Sequence, residues 1–135
     1  MKLTTALRST IAQAIIDAMA TGTAGTPMLE IYSGTIPGAM GGTISDTLLA
    51  ELAMTNGAAT QASGAITLDA ITNDNAANAT GTAGWARIVD RDGDEVIYLT
   101  VTNTGGTGDI KLNTTALVSG SPVAITSGAI TVGGA

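Results

Sequence analysis

The chain has 135 residues, a formal net charge of −6, and neither cysteine nor histidine. That length suits a single domain over 1–135, able to bury a core without a disulfide or metal staple. The composition removes thiolate nucleophiles, disulfides, histidine metal sites and histidine general bases together.

The five basic residues (Lys2, Arg8, Arg87, Arg91 and Lys111) are scattered along the chain. Nucleic-acid affinity rests on concentrated phosphate contacts, so direct nucleic-acid binding is not expected. No stretch reaches the apolar length of a membrane span, so no membrane partner is expected. Phe is absent and Ala, Thr and Gly are abundant, which predicts a thin core of Ile, Leu, Val and Met.

Leu3–Ala20 reads as a helix within an N-terminal segment 1–21. Leu3, Leu7, Ile11, Ile15 and Met19 recur at steps of four, with Ala14 and Ala18 beside them, and suggest an apolar stripe. Thr4 or Thr5 can cap its start and Gly22 can end it. Packing of this helix on its own domain is the preferred expectation; an arm docking on another chain is the alternative. Ile11–Ala20 has the look of a secretory apolar region, but Gln13 and Asp17 interrupt it, so no signal peptide is expected.

Residues 28–135 read as a β domain. Met28–Ser33 alternates as a first strand, and Gly34–Asp46, with Pro37 and several glycines, reads as an exposed loop carrying Ile36, Ala39 and Met40. Loops of this length inside a small domain are often functional. The plain alternative is a loop folded over an open end of the sheet. Leu48–Met54 is assigned to a strand, followed by Ala65–Leu68 with Asp69–Thr72. Asn73–Thr80 is a polar loop and Asn103–Gly108 a turn cluster. Ile110–Asn113, Ala116–Val118, Val123–Ser127 and Ala129–Val132 complete the strands. Short strands separated by turn signals at this spacing predict a mainly β chain. The expected fold is a single-domain β-sandwich or barrel of short antiparallel strands with one N-terminal α-helix. The pentapeptide SGAIT occurs twice, at Ser63–Thr67 and Ser127–Thr131, which suggests similar strand roles for the two copies.

The clearest fold signal is Gly84–Val101, where Asp92-Gly93 separates two β-prone runs. A two-residue turn would set Val89 against Val96, Ile88 against Ile97, Arg87 against Tyr98 and Trp85 against Thr100. Ala86, Ile88, Ile97, Leu99 and Val101 then form a core face. The other face gathers Trp85, Arg87 and Tyr98, with Arg87 placed to lie over Tyr98 or Trp85. Trp, Tyr and Arg are also the residues enriched at binding hot spots. Two readings stay open: an interface, or a face covered by a second sheet or the N-terminal helix.

Chemical motifs favour plain readings. Asp90–Glu95 lacks the length and flanking helices of a calcium loop and reads as a turn. Asp90 and Glu95 would then oppose each other, with Arg91 to balance them. Gly105–Asp109 lacks the recurrence of calcium-binding repeats and also reads as a turn. No pair of carboxylates stands out for hydrolysis, and no base sits where it could activate Ser or Thr. An enzyme is not expected, and neither a metal nor a cofactor is called for.

Several stretches together carry a resemblance: MKLTTALRSTIAQAIIDAMATG, LEIYSGTIPG, LLAEL, GTAGWARIVDRDG and DIKLNTTALVSGSPVAITSGAITV. This pattern of a helix, a strand ending in IYSG, a Gly-rich loop and a Trp-Arg hairpin is similar to a group of small tailed-bacteriophage virion proteins. The resemblance covers most of the chain and implies a structural protein of the head, most like a capsid decoration (cement) protein. It implies the major capsid protein as partner, a homo-oligomer (dimer or trimer), and the outer capsid surface as location. It supplies no catalytic residues. The expected interface residues are Trp85, Arg87 and Tyr98, with Ile36 and Met40 from the loop. The alternative is a tail, neck or fibre-associated virion protein binding a tail component or host surface.

Overall fold

In the computed structural model, which describes residues 1–134, the chain opens with helix α1 (Thr5–Met19). Thr4 is its N-cap, its side-chain oxygen accepting the Leu7 N–H at 3.2 Å. The helix ends at Ala20, and Gly22 follows with φ +103°. The buried face keeps only the C-terminal part of the expected stripe, Met19 buried and Ile15 partly buried against the core. Ala12, Ile16 and Met19 are buried, whereas Leu7 is 46% exposed. The reason is geometric: at 3.6 residues per turn, each step of four overshoots by about 40°, so a stripe of fours winds around the helix. Ala12, Ile16 and Met19 follow i, i+4, i+7 and stay on one side. That side packs on the chain's own sheet, against β3, β4 and β7 as defined next.

Ten strands follow: β1 (Met28–Tyr32), β2 (Leu48–Ala53), β3 (Ala59–Ala62), β4 (Ala65–Leu68), β5 (Gly81–Thr82), β6 (Trp85–Val89), β7 (Glu95–Asn103), β8 (Ile110–Leu112), β9 (Ala116–Leu117) and β10 (Ile125–Thr131). Eight of them form one sheet in the order β2-β1-β6-β7-β8-β10-β4-β3, and β5 pairs with β9 in a separate ribbon. The sheet is curled into a half-barrel, and its connectivity requires the curl. The edge strands β2 and β3 are consecutive in the chain, joined only by residues 54–58. Laid flat, eight strands would put the edges roughly 34 Å apart, whereas six Cα steps reach only about 20 Å.

Strand alternation supplies the core. Leu52, Leu29, Ile88 and Ile97 lie in one cross-strand row, and Ala50, Ile31, Ala86 and Leu99 in the next. All of these belong to the central apolar cluster, with Ile97 partly buried at its margin. The expected core face of the hairpin, including Val101, is therefore the inner face of the half-barrel.

Two strands lay outside the sequence expectations. β3 is announced by Ser63-Gly64, both at positive φ (54° and 86°), which close a two-residue hairpin pairing Ala62 with Ala65. Positive φ at both turn positions matches the right-handed strand twist. β5 is two residues long and carries no pattern. The two SGAIT copies are direct neighbours: β4 and β10 run antiparallel with Ile66 opposite Ile130.

One pairing departs from the antiparallel expectation. β7 and β8 are parallel, with Val101 opposite Ile110. Parallel neighbours ordinarily need a crossover of a dozen or more residues; here 104–109 suffices. The return lies tightly on Thr102, where a Cβ on Gly106 would come within 2.5 Å of its side chain. Asp109 Oδ2 then accepts both the Thr100 N–H and the Thr100 hydroxyl, at 3.0 and 2.7 Å. The Gly105–Asp109 cluster is the means of making that short return.

Candidate interaction site on the outer face

Residues alternating with the core rows form the outer face of β1, β6 and β7. One row runs Glu51, Glu30, Arg87, Tyr98; the next runs Tyr32, Trp85, Thr100. The aromatic rings gather where these rows meet. Trp85 stacks on Tyr32 with centroids 4.7 Å apart and planes 15° from parallel. Tyr98 tilts against its other side at 4.9 Å and 56°. Such offset and tilted pairs suit the aromatic quadrupole.

Arg87 lies over Tyr32, 5.6 Å from the ring centroid, and not over Tyr98 or Trp85 as its own hairpin suggests. The pull comes from Glu30, whose Oε2 accepts from Arg87 Nε at 2.5 Å. Glu95 Oε1 takes Arg87 Nη1 at 2.6 Å on the other side. The two carboxylates also hold the phenols: Tyr32 donates to Glu30 at 2.8 Å and Tyr98 to Glu95 at 3.0 Å.

Glu95 reaches this cluster because of a β-bulge. The hairpin register agrees with the sequence expectation from Trp85–Thr100 through Ile88–Ile97, then shifts so that Val89 faces Glu95 instead of Val96. A bulge leaves one residue unpaired and re-aims its neighbour; here it brings Glu95 to the Arg87 face. The turn is accordingly longer than two residues. Asp90 accepts the Asp92 and Asp94 N–H groups at 3.0 and 2.9 Å and does not oppose Glu95. Arg91 balances neither carboxylate; its Nε donates to the Gly25 carbonyl at 2.8 Å. Asp92 accepts the Thr23 and Ala24 N–H groups at 3.0 Å each. The hairpin tip thus holds the connector that leads from α1 into β1.

What covers the aromatic face is neither a second sheet nor the helix, but the loop between β1 and β2. Its ends are tied where the Ser33 N–H donates to the Thr47 carbonyl at 3.0 Å and the Thr47 N–H to Ser33 Oγ at 3.1 Å. Asp46 Oδ2 accepts the Trp85 Nε1–H at 2.9 Å. Near the tip, the Gly41 N–H donates to Glu95 Oε2 at 3.0 Å. Close approach is possible only because Gly84 has no side chain: a Cβ there would sit 1.9 Å from the Gly34 carbonyl oxygen. The loop therefore lies across the outer face, not over an open end of the sheet.

Burial and these bonds set the charges. Tyr32 is pushed up to about 12, by desolvation first and then by its bond to Glu30. Tyr98 is also raised, through burial and the adjoining Glu95 carboxylate. Burial works against the charge of Glu95, yet the Gly41 N–H, the Tyr98 hydroxyl and Arg87 together hold its carboxyl below the usual range. Burial likewise opposes the charge on Arg87, but the bonds to Glu30 and Glu95 and the neighbouring Glu30 and Tyr32 charges together outweigh it and hold the guanidinium above its ordinary value.

The five expected interface residues divide into two sets. Trp85 is fully buried beneath the loop, and Arg87 and Tyr98 are partly buried beside it. Ile36 and Met40 lie on the loop and are 42% and 48% exposed. Sequence reasoning missed Tyr32, Glu30, Glu95 and Asp46. Tyr32 and Glu30 were within reach, since residues two apart on a strand share a face. Glu95 depends on the bulge and Asp46 on the path of the loop, which no local pattern signals. Against family models, curated proteins and solved structures, the chain has no match.

Proposed function

We propose that this chain is a capsid decoration (cement) protein of a tailed phage, binding the major capsid protein on the outer surface of the head without covalent chemistry. The reading begins from the sequence resemblance. The observation that carries it further is the loop over residues 33–47, fixed at its base, at Asp46 and at Gly41, with Ile36 and Met40 directed to solvent. A pre-ordered loop loses little conformational entropy on docking, which favours affinity from a small apolar contact. Repetition over many equivalent capsid sites multiplies that contact. On this proposal Ile36 and Met40 make the contact, Arg87 and Tyr98 flank it, and Trp85 holds the loop in shape. A dimer or trimer belongs to the same proposal.

The test is the amount of this chain relative to the major capsid protein in purified particles. A decoration protein scales with the capsid subunit; a copy number of a few per particle supports the tail, neck or fibre alternative instead. Replacing Ile36 and Met40 together by Ser should leave the fold intact and reduce capsid occupancy. Occupancy equal to that of the parent protein would remove the loop from the interface.

A further inference from the structure

The connector between the two sheet edges contains Asn56-Gly57, and both residues are exposed. We propose that this dipeptide is a site of spontaneous covalent modification, converting to aspartate and isoaspartate ahead of every other asparagine in the chain. The reaction is intramolecular. The Gly57 nitrogen attacks Asn56 Cγ, the new N–Cγ bond forms, and the Cγ–Nδ2 bond breaks. Ammonia leaves, taking up the proton lost from the Gly57 nitrogen. Water then opens the resulting succinimide at either carbonyl, giving aspartate or isoaspartate.

Three observations make the site selective. First, among the described residues, neither the Asn56 side chain nor the Gly57 N–H has a hydrogen-bond partner, while the flanking turn is closed by Ala58 N–H to Thr55 O at 2.9 Å and Ala59 N–H to Gly57 O at 2.7 Å. Nucleophile and electrophile are both free inside an ordered turn. Second, the other asparagines are followed by Asp74, Ala76, Ala79, Thr104 and Thr114, whose side chains hinder attack. Two of them are also held: Asn113 Oδ1 accepts the Thr114 N–H at 2.9 Å, and Asn78 Nδ2 donates to Glu51 at 3.1 Å. Third, the related dipeptide Asp92-Gly93 is locked. Its carboxylate accepts from Thr23 and Ala24, and the Gly93 N–H donates to the Asp90 carbonyl at 3.2 Å.

The product bears on the fold. Asp69 already lies against this turn, its carboxylate accepting the Thr55 hydroxyl at 3.2 Å and its N–H donating to the Ala58 carbonyl at 3.0 Å. Conversion adds a second negative charge there, and the isoaspartyl form adds a methylene to the connector between β2 and β3.

The test is ageing of the folded full chain in mildly alkaline buffer, followed by peptide mapping and by isoaspartyl methyltransferase labelling with S-adenosylmethionine. The expected result is amide-to-acid conversion and methyl acceptance confined to Asn56, with Asp92 unchanged. The Gly57→Ala variant is the control. A Cβ at Gly57 meets nothing nearer than Asp69 Oδ2 at 3.8 Å, and Gly57 is not among the positive-φ glycines, so the variant should fold normally and lose most of the conversion. The proposal is overturned if Asn56 is stable in the folded chain yet converts in urea. It is equally overturned if another asparagine converts first, or if Gly57→Ala does not slow the reaction.

Discussion

Trp85 is fully buried between two tyrosine rings, and its indole N–H is the donor that ties Asp46 in the cover loop. Two substitutions separate these roles. Trp85→Ala removes the stack and the bond. Truncation of a buried aromatic costs about 3–5 kcal/mol, a large part of the roughly 5–15 kcal/mol that holds a domain together. Trp85→Phe keeps one ring in the stack, with pairs worth about 0.5–1.5 kcal/mol each, and deletes the donor together with the second ring of the indole. A hydrogen bond to a charged group contributes about 1.5–3 kcal/mol. Asp46 is partly exposed and recovers water, so the lower end, about 1.5 kcal/mol, is expected for the bond itself. The assays are denaturant unfolding followed by near-UV circular dichroism, and amide exchange over residues 34–46. Trp85→Phe should speed exchange in the loop, at Gly41 above all, while the amides of β6 and β10 change much less. If loop exchange matches the parent while global stability falls, the indole–Asp46 bond is not what fixes the loop.

Four further outcomes follow from the structure. Gly84→Ala should displace the cover loop or prevent folding, because the new Cβ meets backbone and not a movable side chain; near-UV circular dichroism and solubility read this directly. Phenol titration of the native protein should show both tyrosines ionising late, Tyr32 near pH 12. Since the folded state holds that proton more tightly than the unfolded chain, the stabilisation is complete below about pH 10 and lost as pH rises towards 12. Glu95 has the opposite sign: its lowered carboxyl stabilises the fold above the usual carboxylate range and loses that effect as pH falls through it, which Glu95→Gln should abolish in an acid-denaturation series. Thr4→Ala removes the N-cap of α1 and should cost about 1 kcal/mol, measured by denaturant midpoint.

The sequence by itself determined the fold class, the positions of most strands and the inner face of the central hairpin. These follow from a period of two and from turn residues, both of which act over a few neighbouring positions. It also brought Trp85, Arg87 and Tyr98 to one face, since that requires only alternation and a register. Tertiary structure decided the rest. The helix face was settled by which side meets β3, β4 and β7, and a stripe of fours cannot supply one face over four turns. The parallel step into β8 rests on a close return over Thr102. Glu95 joined Arg87 through a bulge, and Arg87 settled over Tyr32 because Glu30, 57 positions away in the chain, lies on the adjacent strand. The loop that encloses Trp85 is fixed by Asp46, 39 positions away, and by the absence of a side chain at Gly84. Contacts at such separation leave no periodic trace, because they arise from where a curled sheet brings its strands.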